Sequence, residues 1–498
     1  MVGLPRTTKQ PHWDIAEGSP VVKSISGGLF SQVKIRRLRS IEIASVVLPI
    51  LAGLILALLL LAFGPITLPV FFFLIFVLPW LTRDTFRLFI WLIITWPILT
   101  LYLRIPLPAG IPDLTYDRIL VLLLVCVIIL DSRFSKIKLL KATPLDILII
   151  AYVITQLSTR LTLIWSNGIG ILDLNGFLDG IIVPVAMFWM TKNLLVSKAH
   201  IKWLLGALVI ASLLICLTGL IEQALGERVF KLSAQLGGTE QEYEWVDVQG
   251  GRAAGVATNP AIYGAVMGIG ILAAFCCLSY VKSRFIKVAL VITSGVLLYG
   301  VFASYTRSAW VSVLIVLFFA QFFLSGLWKR TLPIFMIVPL LLSLVWSNLS
   351  VTSTIMKRVT NEGTVNERIS VNKFAWNLFN ERPLLGWGSG VLNAFAQRQL
   401  GISSHNIYIT FLVEGGVILF LSFFAVVGYL LMRAVRVYRM TEKGSLERNV
   451  LVAMTGSVLI YLLSGLAVEL RFFGYFNALF WICIGVIDGL GVRRIWTD

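Results

Sequence analysis

Residues 403–432 read SSHNIYITFLVEGGVILFLSFFAVVGYLLM. A polar opening, Ser403-Ser404-His405-Asn406, passes into an apolar run whose only charged residue is Glu414. About 20 apolar residues suffice for a helix to cross the hydrocarbon core of a bilayer, and this run is long enough. His405 is one of three histidines in the chain and stands where the loop becomes the run. A group that titrates near neutral pH is thereby set at a water–lipid boundary, beside the positive end of a helix dipole. Two readings follow: a cap or interfacial anchor for the helix, or a reacting group facing water.

The same transition recurs along the chain. Of 498 residues 58% are hydrophobic and 13% charged, about half the charged share of a soluble domain, and the mean hydropathy is +0.89. Apolar runs are expected as spans at about 41–63, 66–81, 88–103, 118–131, 145–166, 174–191, 203–225, 261–281, 288–304, 309–327, 332–348, 406–432, 449–468 and 473–491. Only helices and closed barrels satisfy their backbone within lipid, and these runs are too long for barrel strands. The fold class is therefore an all-α polytopic membrane protein with about 12–14 transmembrane helices. A basic tail is expected at 1–40, a membrane domain at 41–491 and a short C-terminus at 492–498. The tail is polar and basic, with Arg36, Arg37 and Arg39 just before the first span, unlike a cleavable signal. Cys126, Cys216, Cys276, Cys277 and Cys483 all fall in apolar runs and read as small packing residues.

The net charge of +17 would suggest nucleic acid only if it lay on one soluble surface. Instead it is spread over short loops between runs, which points to topology, to anionic membrane lipids, and away from nucleic acid. With the N-terminus in the cytoplasm, 28 of the 42 lysines and arginines fall in cytoplasmic segments, and both termini lie inside. The segments at 226–258 and 349–404 are then extracytoplasmic. Lys357, Arg358, Arg368, Lys373, Arg382 and Arg398 lie in the longer one, and Arg104, Arg118, Arg160, Arg228, Lys231, Arg252, Arg307 and Arg471 flank other outer ends. Arginines at such places often only snorkel to the headgroups. Arg307 is different, because it stands between two apolar runs with almost no loop and must face protein or a water-filled cleft.

Within the long loop, Phe374, Leu378 and Phe379 recur at helical spacing, and the segment Arg382-Pro383-Leu-Leu-Gly386-Trp387-Gly388 then breaks the helix. An amphipathic helix over the outer face, followed by a Gly-rich turn leading to His405, is the expected arrangement. Several arginines and one histidine suit a polyanionic headgroup, since the guanidinium fork gives phosphate two hydrogen bonds. Arginines would offset charge on a departing pyrophosphate, and a neutral imidazole would accept the proton of an attacking hydroxyl. No Asp-x-Asp element stands in an outer loop, so neither metal nor other cofactor is expected.

Four pieces carry a resemblance to a known family. They are Gly251-Arg252-Ala-Ala-Gly255-Val-Ala-Thr-Asn259-Pro260, Thr306-Arg307-Ser308-Ala309, Arg382-Pro383-Leu-Leu-Gly386-Trp-Gly388, and His405-Asn406 followed after nine residues by Gly416. Asp113-Leu-Thr-Tyr-Asp117-Arg118 adds a similar entry to the fourth span. Their order resembles the O-antigen ligase and O-antigen polymerase superfamily of bacterial membrane glycosyltransferases. The likeness covers about 115–430, and the ligase-like region proper is about 200–430. Leu419 stands where the ligases carry Gly, Thr or Tyr. The resemblance implies a GT-C-like protein of the bacterial cytoplasmic membrane with its site facing outward. Its donor would be a polyprenyl (undecaprenyl) pyrophosphate-linked glycan, its acceptor a growing glycan, a lipid A core or a protein. Transfer would invert the anomeric carbon without a metal. Arg252 and Arg307 would hold the pyrophosphate and His405 would serve the acceptor, with Arg368, Arg382, Glu222 and Asn406 as second-rank residues. The competing class is a lipid-linked glycan flippase or polysaccharide exporter, which should carry charges near mid-membrane and show two matching halves. Asp179 and Glu222 come closest to mid-span, and no repeat is evident.

Overall fold

A computed structural model describes residues 84–105, 107, 112–134, 137–167, 174–226, 252–324, 363–401 and 404–492. The basic tail, the spans expected at 41–63, 66–81 and 332–348, most of the 226–258 loop and residues 493–498 lie outside the described residues. The described chain is helical apart from one antiparallel pair, β1 (Arg104–Ile105) with β2 (Leu114–Thr115). The helices are α1 (Thr85–Tyr102), α2 (Tyr116–Arg133), α3 (Pro144–Asn167), α4 (Val183–Leu194), α5 (Lys198–Leu225), α6 (Pro260–Tyr280) and α7 (Arg284–Ala303). They continue with α8 (Arg307–Phe323), α9 (Gly363–Glu381), α10 (Val391–Leu400), α11 (Ile407–Met440), α12 (Leu446–Ser464) and α13 (Gly474–Val492). A helical turn at Leu174–Phe177 and a π-helical Leu178–Ile182 lead into α4. Among the described residues nine helical segments are long and apolar enough to cross a membrane, and α8 is a shorter apolar helix. The chain is thus an all-α polytopic membrane protein.

Local chemistry sets where the helices start. Asn259 accepts from the Ala261 and Ile262 amides with Pro260 in the first helical position, and Ser197, Ser283 and Ser445 cap α5, α7 and α12 in the same manner. Packing decides the rest. Nearly all of α6 is buried, and its face is cut by small residues. A β-carbon at Gly268 would meet Val313 at 2.5 Å, and one at Gly270 would meet Ser212 at 2.4 Å. Lipid offers no hydrophobic drive between helices, so close van der Waals approach at such residues is what joins them. Of the five cysteines, Cys126 is exposed, the other four are buried and all are free.

At the bundle end that holds the C-terminus of α4, polar groups close on one another. Lys192 Nζ lies 2.7 Å from Asp488 and 2.5 Å from Asp146, and Arg433 Nε lies 2.8 Å from Asp488. Thr143 Oγ1 lies 2.8 Å from Asp146 and 3.1 Å from Asp488, its one proton shared between the two carboxylates. Two cations and two anions thus tie α3, α4, α11 and α13. None of these four groups stood out in the sequence, where only Asp179 and Glu222 looked deep.

The sharpest departure from the expected helices is in α11. The run at 406–432 reads as one uninterrupted span, yet the helix breaks at Gly416 (φ 64°, ψ −165°). The break is filled by the Gly-rich turn. Trp387 N and Gly388 N donate to Val413 O and Glu414 O at 2.9 Å each, while Val417 N donates to Pro383 O at 2.8 Å. Backbone groups freed by the break are satisfied by another stretch of chain, as a low-dielectric setting demands. Only glycine fits the junction: a β-carbon at Gly416 would lie 2.1 Å from Leu384 O and one at Gly386 2.5 Å from Glu414 C, and both backbones have positive φ.

Candidate active site

The second site-bearing loop has the expected amphipathic helix, α9. Ala375 and Leu378 pack with Leu392 of α10 and Val413 of α11, and Phe374, Phe379, Trp387, Phe395 and Ile409 close around them. This small core fixes α9 and α10 beside the start of α11. Ser404 is buried, its amide donating to Asn393 Oδ1 at 2.8 Å and its hydroxyl lying 3.2 Å from that of Thr410. His405 follows, exposed, and among the described residues its ring nitrogens make no hydrogen bond. It does not cap α11. Asn406 does, accepting from the Tyr408 and Ile409 amides at 3.0 and 3.4 Å. Asn406, a second-rank site residue by sequence, thus also orients the helix start.

Arg252 and Arg307 meet through a short turn. The Arg252 segment is anchored from below by Glu222, whose Oε2 accepts from Gly255 N at 2.8 Å, and by Ala253 N donating to Ala303 O at 2.9 Å. A β-carbon at Gly255 would lie 2.3 Å from Thr218 Oγ1, so the strand can approach α5 only through glycine. Arg252 then donates from Nη2 to Thr306 Oγ1 at 2.6 Å and from Nε to Ser304 O at 3.2 Å. Tyr305, at φ 43°, turns the chain sharply between α7 and α8. Arg307 is thereby the first residue of α8, exposed, at the positive end of the helix dipole. A cation there gains nothing from the dipole, and the combination favours an anion.

Electrostatics connects this turn to α9 and His405. The Arg368 guanidinium is drawn below its ordinary pKa by desolvation and then by Arg307, with Glu367 opposing. The His405 imidazole is also held low, first by the protein around it and next by Arg368; Glu469 and Glu367 act in the opposite sense. Its neutral form is favoured in consequence. Arg368 thus lies within electrostatic reach of both Arg307 and His405, and Arg252 bonds Thr306 beside Arg307.

Three further arginines have defined surroundings. Arg382, grouped by sequence with the cationic set, lies with its guanidinium 4.0 Å from the centre of the Trp387 ring. Of Arg160 and Arg471, read as helix-end arginines that snorkel, Arg160 is buried and the Arg471 side chain is only 10% exposed. Arg160 donates to Gln156 O at 3.0 Å and lies over the Phe177 ring. Arg471 is clamped by Glu414, two residues before the α11 break at Gly416, and by Glu469 at 2.8 Å. Removing a long-chain cation from water takes a counter-charge, and the two glutamates provide it. A lone carboxylate in an apolar run, as at Glu414, is the sequence signal for such a partner, but its arginine is 57 residues away.

The fold and this geometry can be set beside known proteins. A search of curated proteins found no match. Residues 292–424 match the family model described as O-antigen ligase, which takes in α8, α9, α10 and the first part of α11 and so holds Arg307, Arg368, Arg382, His405 and Asn406, with Arg252 and Glu222 ahead of it. With the all-α membrane fold and the ordered motifs, this match over residues 292–424 supports a place in the O-antigen ligase superfamily and a ligase- or polymerase-like role on cell-surface glycans.

Proposed function

We propose that the protein transfers a polyprenyl-pyrophosphate-linked glycan to an acceptor hydroxyl at the outer face of the bacterial cytoplasmic membrane. The observation that supports this reading is a chain of neighbours: Arg252 bonds Thr306 beside Arg307, Arg307 acts on Arg368, and Arg368 acts on His405. In this proposal Arg252, Arg307 and the α8 N-terminus hold the pyrophosphate. Arg368 lies between them and His405. The imidazole, kept neutral, takes the proton as the acceptor oxygen bonds to the anomeric carbon. The carbon–oxygen bond to the pyrophosphate breaks on the opposite face, so configuration inverts. Polyprenyl pyrophosphate departs, its growing charge met by the guanidinium groups. In this scheme cations of the chain do the electrostatic work and no metal is required.

The test is transfer by purified protein from an undecaprenyl-pyrophosphate glycan, offered lipid A core, glycan and protein acceptors in parallel, with and without a chelator. A product with inverted anomeric configuration by NMR, formed equally in chelator, is the expected result. Retention of configuration, or loss of activity restored by a divalent cation, would refute the scheme.

A further inference from the structure

The fully exposed face of α9 has a second feature that the transfer scheme does not use. An open groove of about 560 Å³ runs between α9 and the start of α11, lined by Ile369, Asn372, Lys373, Trp376, Asn377 and Ile409. Trp376 is 55% exposed although its ring also lies against that of Phe379, with centroids 5.2 Å apart and the planes tilted by 40°. Asn372 and Asn377 are exposed, and among the described residues their amides and the Trp376 indole N–H make no hydrogen bond. An exposed aromatic ring beside a neighbouring ring, with amides close by, has the chemistry of a sugar seat. A pyranose has an apolar C–H face that packs on an aromatic ring and a rim of hydroxyls that needs both donors and acceptors, which an amide supplies together.

Position identifies the occupant. Arg368, Asn372 and Trp376 are spaced i, i+4 and i+8, so they form one stripe along the helix, about 12 Å long at 1.5 Å per residue. The stripe starts at the arginine that acts on His405 and ends at the indole. Ile409, on the groove's other wall, is three residues after the cap Asn406. The groove is therefore continuous with the site described above. We propose that it seats a neutral sugar unit of the glycan, one or two rings removed from the reacting centre, with Trp376 as the stacking platform and Asn372 and Asn377 as its hydrogen-bonding partners. This rests on the transfer reading for the glycan's identity, but not for the existence of the seat.

The experiment separates the two. Full-length protein in nanodiscs is titrated with the water-soluble oligosaccharide released by mild acid from undecaprenyl-pyrophosphate glycan of the source cell, and binding is followed by saturation-transfer NMR. Wild type and Trp376→Phe should saturate the sugar ring C–H protons. Trp376→Ala and Trp376→Leu should bind roughly three- to tenfold more weakly, with unchanged melting temperature. Leucine is the informative variant, because it keeps an apolar side chain for lipid but has no ring face. Binding restored by leucine, equal binding in all four proteins, or no binding in wild type would overturn the seat. So would quenching of the Trp376 share of fluorescence by brominated lipid, which would make the residue a membrane anchor. If the ring-dependent binding holds while no protein transfers glycan, the seat stands and the transfer scheme falls.

Discussion

Lys192 and Arg433 at one end of the bundle sit against Asp146 and Asp488, cation to carboxylate. At the other end Arg307 lowers the basicity of Arg368, and Arg368 lowers that of His405. The first arrangement lowers electrostatic energy within the fold itself. The second sets like charges near one another, with Glu367 and Glu469 acting against them. That contrast separates charges that hold the bundle together from charges that the proposed scheme gives to a ligand, and no count of basic residues makes the distinction. It also explains why Arg471, near the second group in space, belongs with the first in kind: Glu414 and Glu469 already clamp it.

The contrast can be broken in several ways. The largest effect is all-or-none. Reporter fusions at Gly363 and Gly444 should fall on opposite sides of the membrane, and finding both on one side would undo the assignment of the two ends. Next, Asp488→Ala leaves Lys192 and Arg433 short of a buried counter-charge and should cost about 3–5 kcal/mol, read as a large drop in thermal stability in detergent. A wild-type melting curve would show that the four charges hold nothing. His405→Ala should leave stability unchanged while kcat falls roughly 10²–10⁴-fold. His405→Gln refines this, because it keeps a hydrogen bond but no base; full activity in that variant would leave only a positioning role.

Arg307→Lys keeps the charge and loses the fork, so a fall of roughly 10- to 100-fold in transfer with normal insertion is expected. Wild-type activity would make Arg307 an interface anchor. The smallest effect concerns pH. Because the His405 pKa is lowered below 6.5, the neutral imidazole persists into mildly acid solution, and activity should fall only as pH drops below that ordinary value. Arg368→Gln removes a cation that disfavours the imidazolium, so the acid limb should move to higher pH. A shift in the other direction would rule out Arg368 as the neighbour that tunes the imidazole.

Much of this was legible in the sequence, for reasons that also mark where legibility stopped. Apolar runs give span positions because bilayer thickness fixes their length, and the expected 145–166, 261–281 and 473–491 differ from α3, α6 and α13 by one residue at each end. Arg307 and His405 were legible because each is a polar residue where a run begins. The role of Glu222 was not, since nothing local says that a carboxylate near the end of α5 will accept from the Gly255 amide. Arg382 was grouped with the cationic set for its place in a motif, and its packing over the ring of Trp387 five residues on could not be read there. The α11 break was hardest. Gly415-Gly416 reads as permissive for a helix in lipid, and only the turn at Pro383–Gly388 makes a break affordable.

That break has a consequence for how the chain can be rebuilt. Loops are ordinarily the exchangeable parts of a scaffold, and 363–401 would be the natural cassette for transplanting one relative's acceptor preference into another. Here the cassette and the helix share a backbone joint. A graft of 363–401 alone would have to reproduce the donors that Trp387 and Gly388 present to Val413 and Glu414, and the acceptor that Pro383 presents to Val417. Any mismatch would strand carbonyls where water is scarce. The portable unit is the loop together with α11 to beyond residue 418, inherited and swapped as one piece.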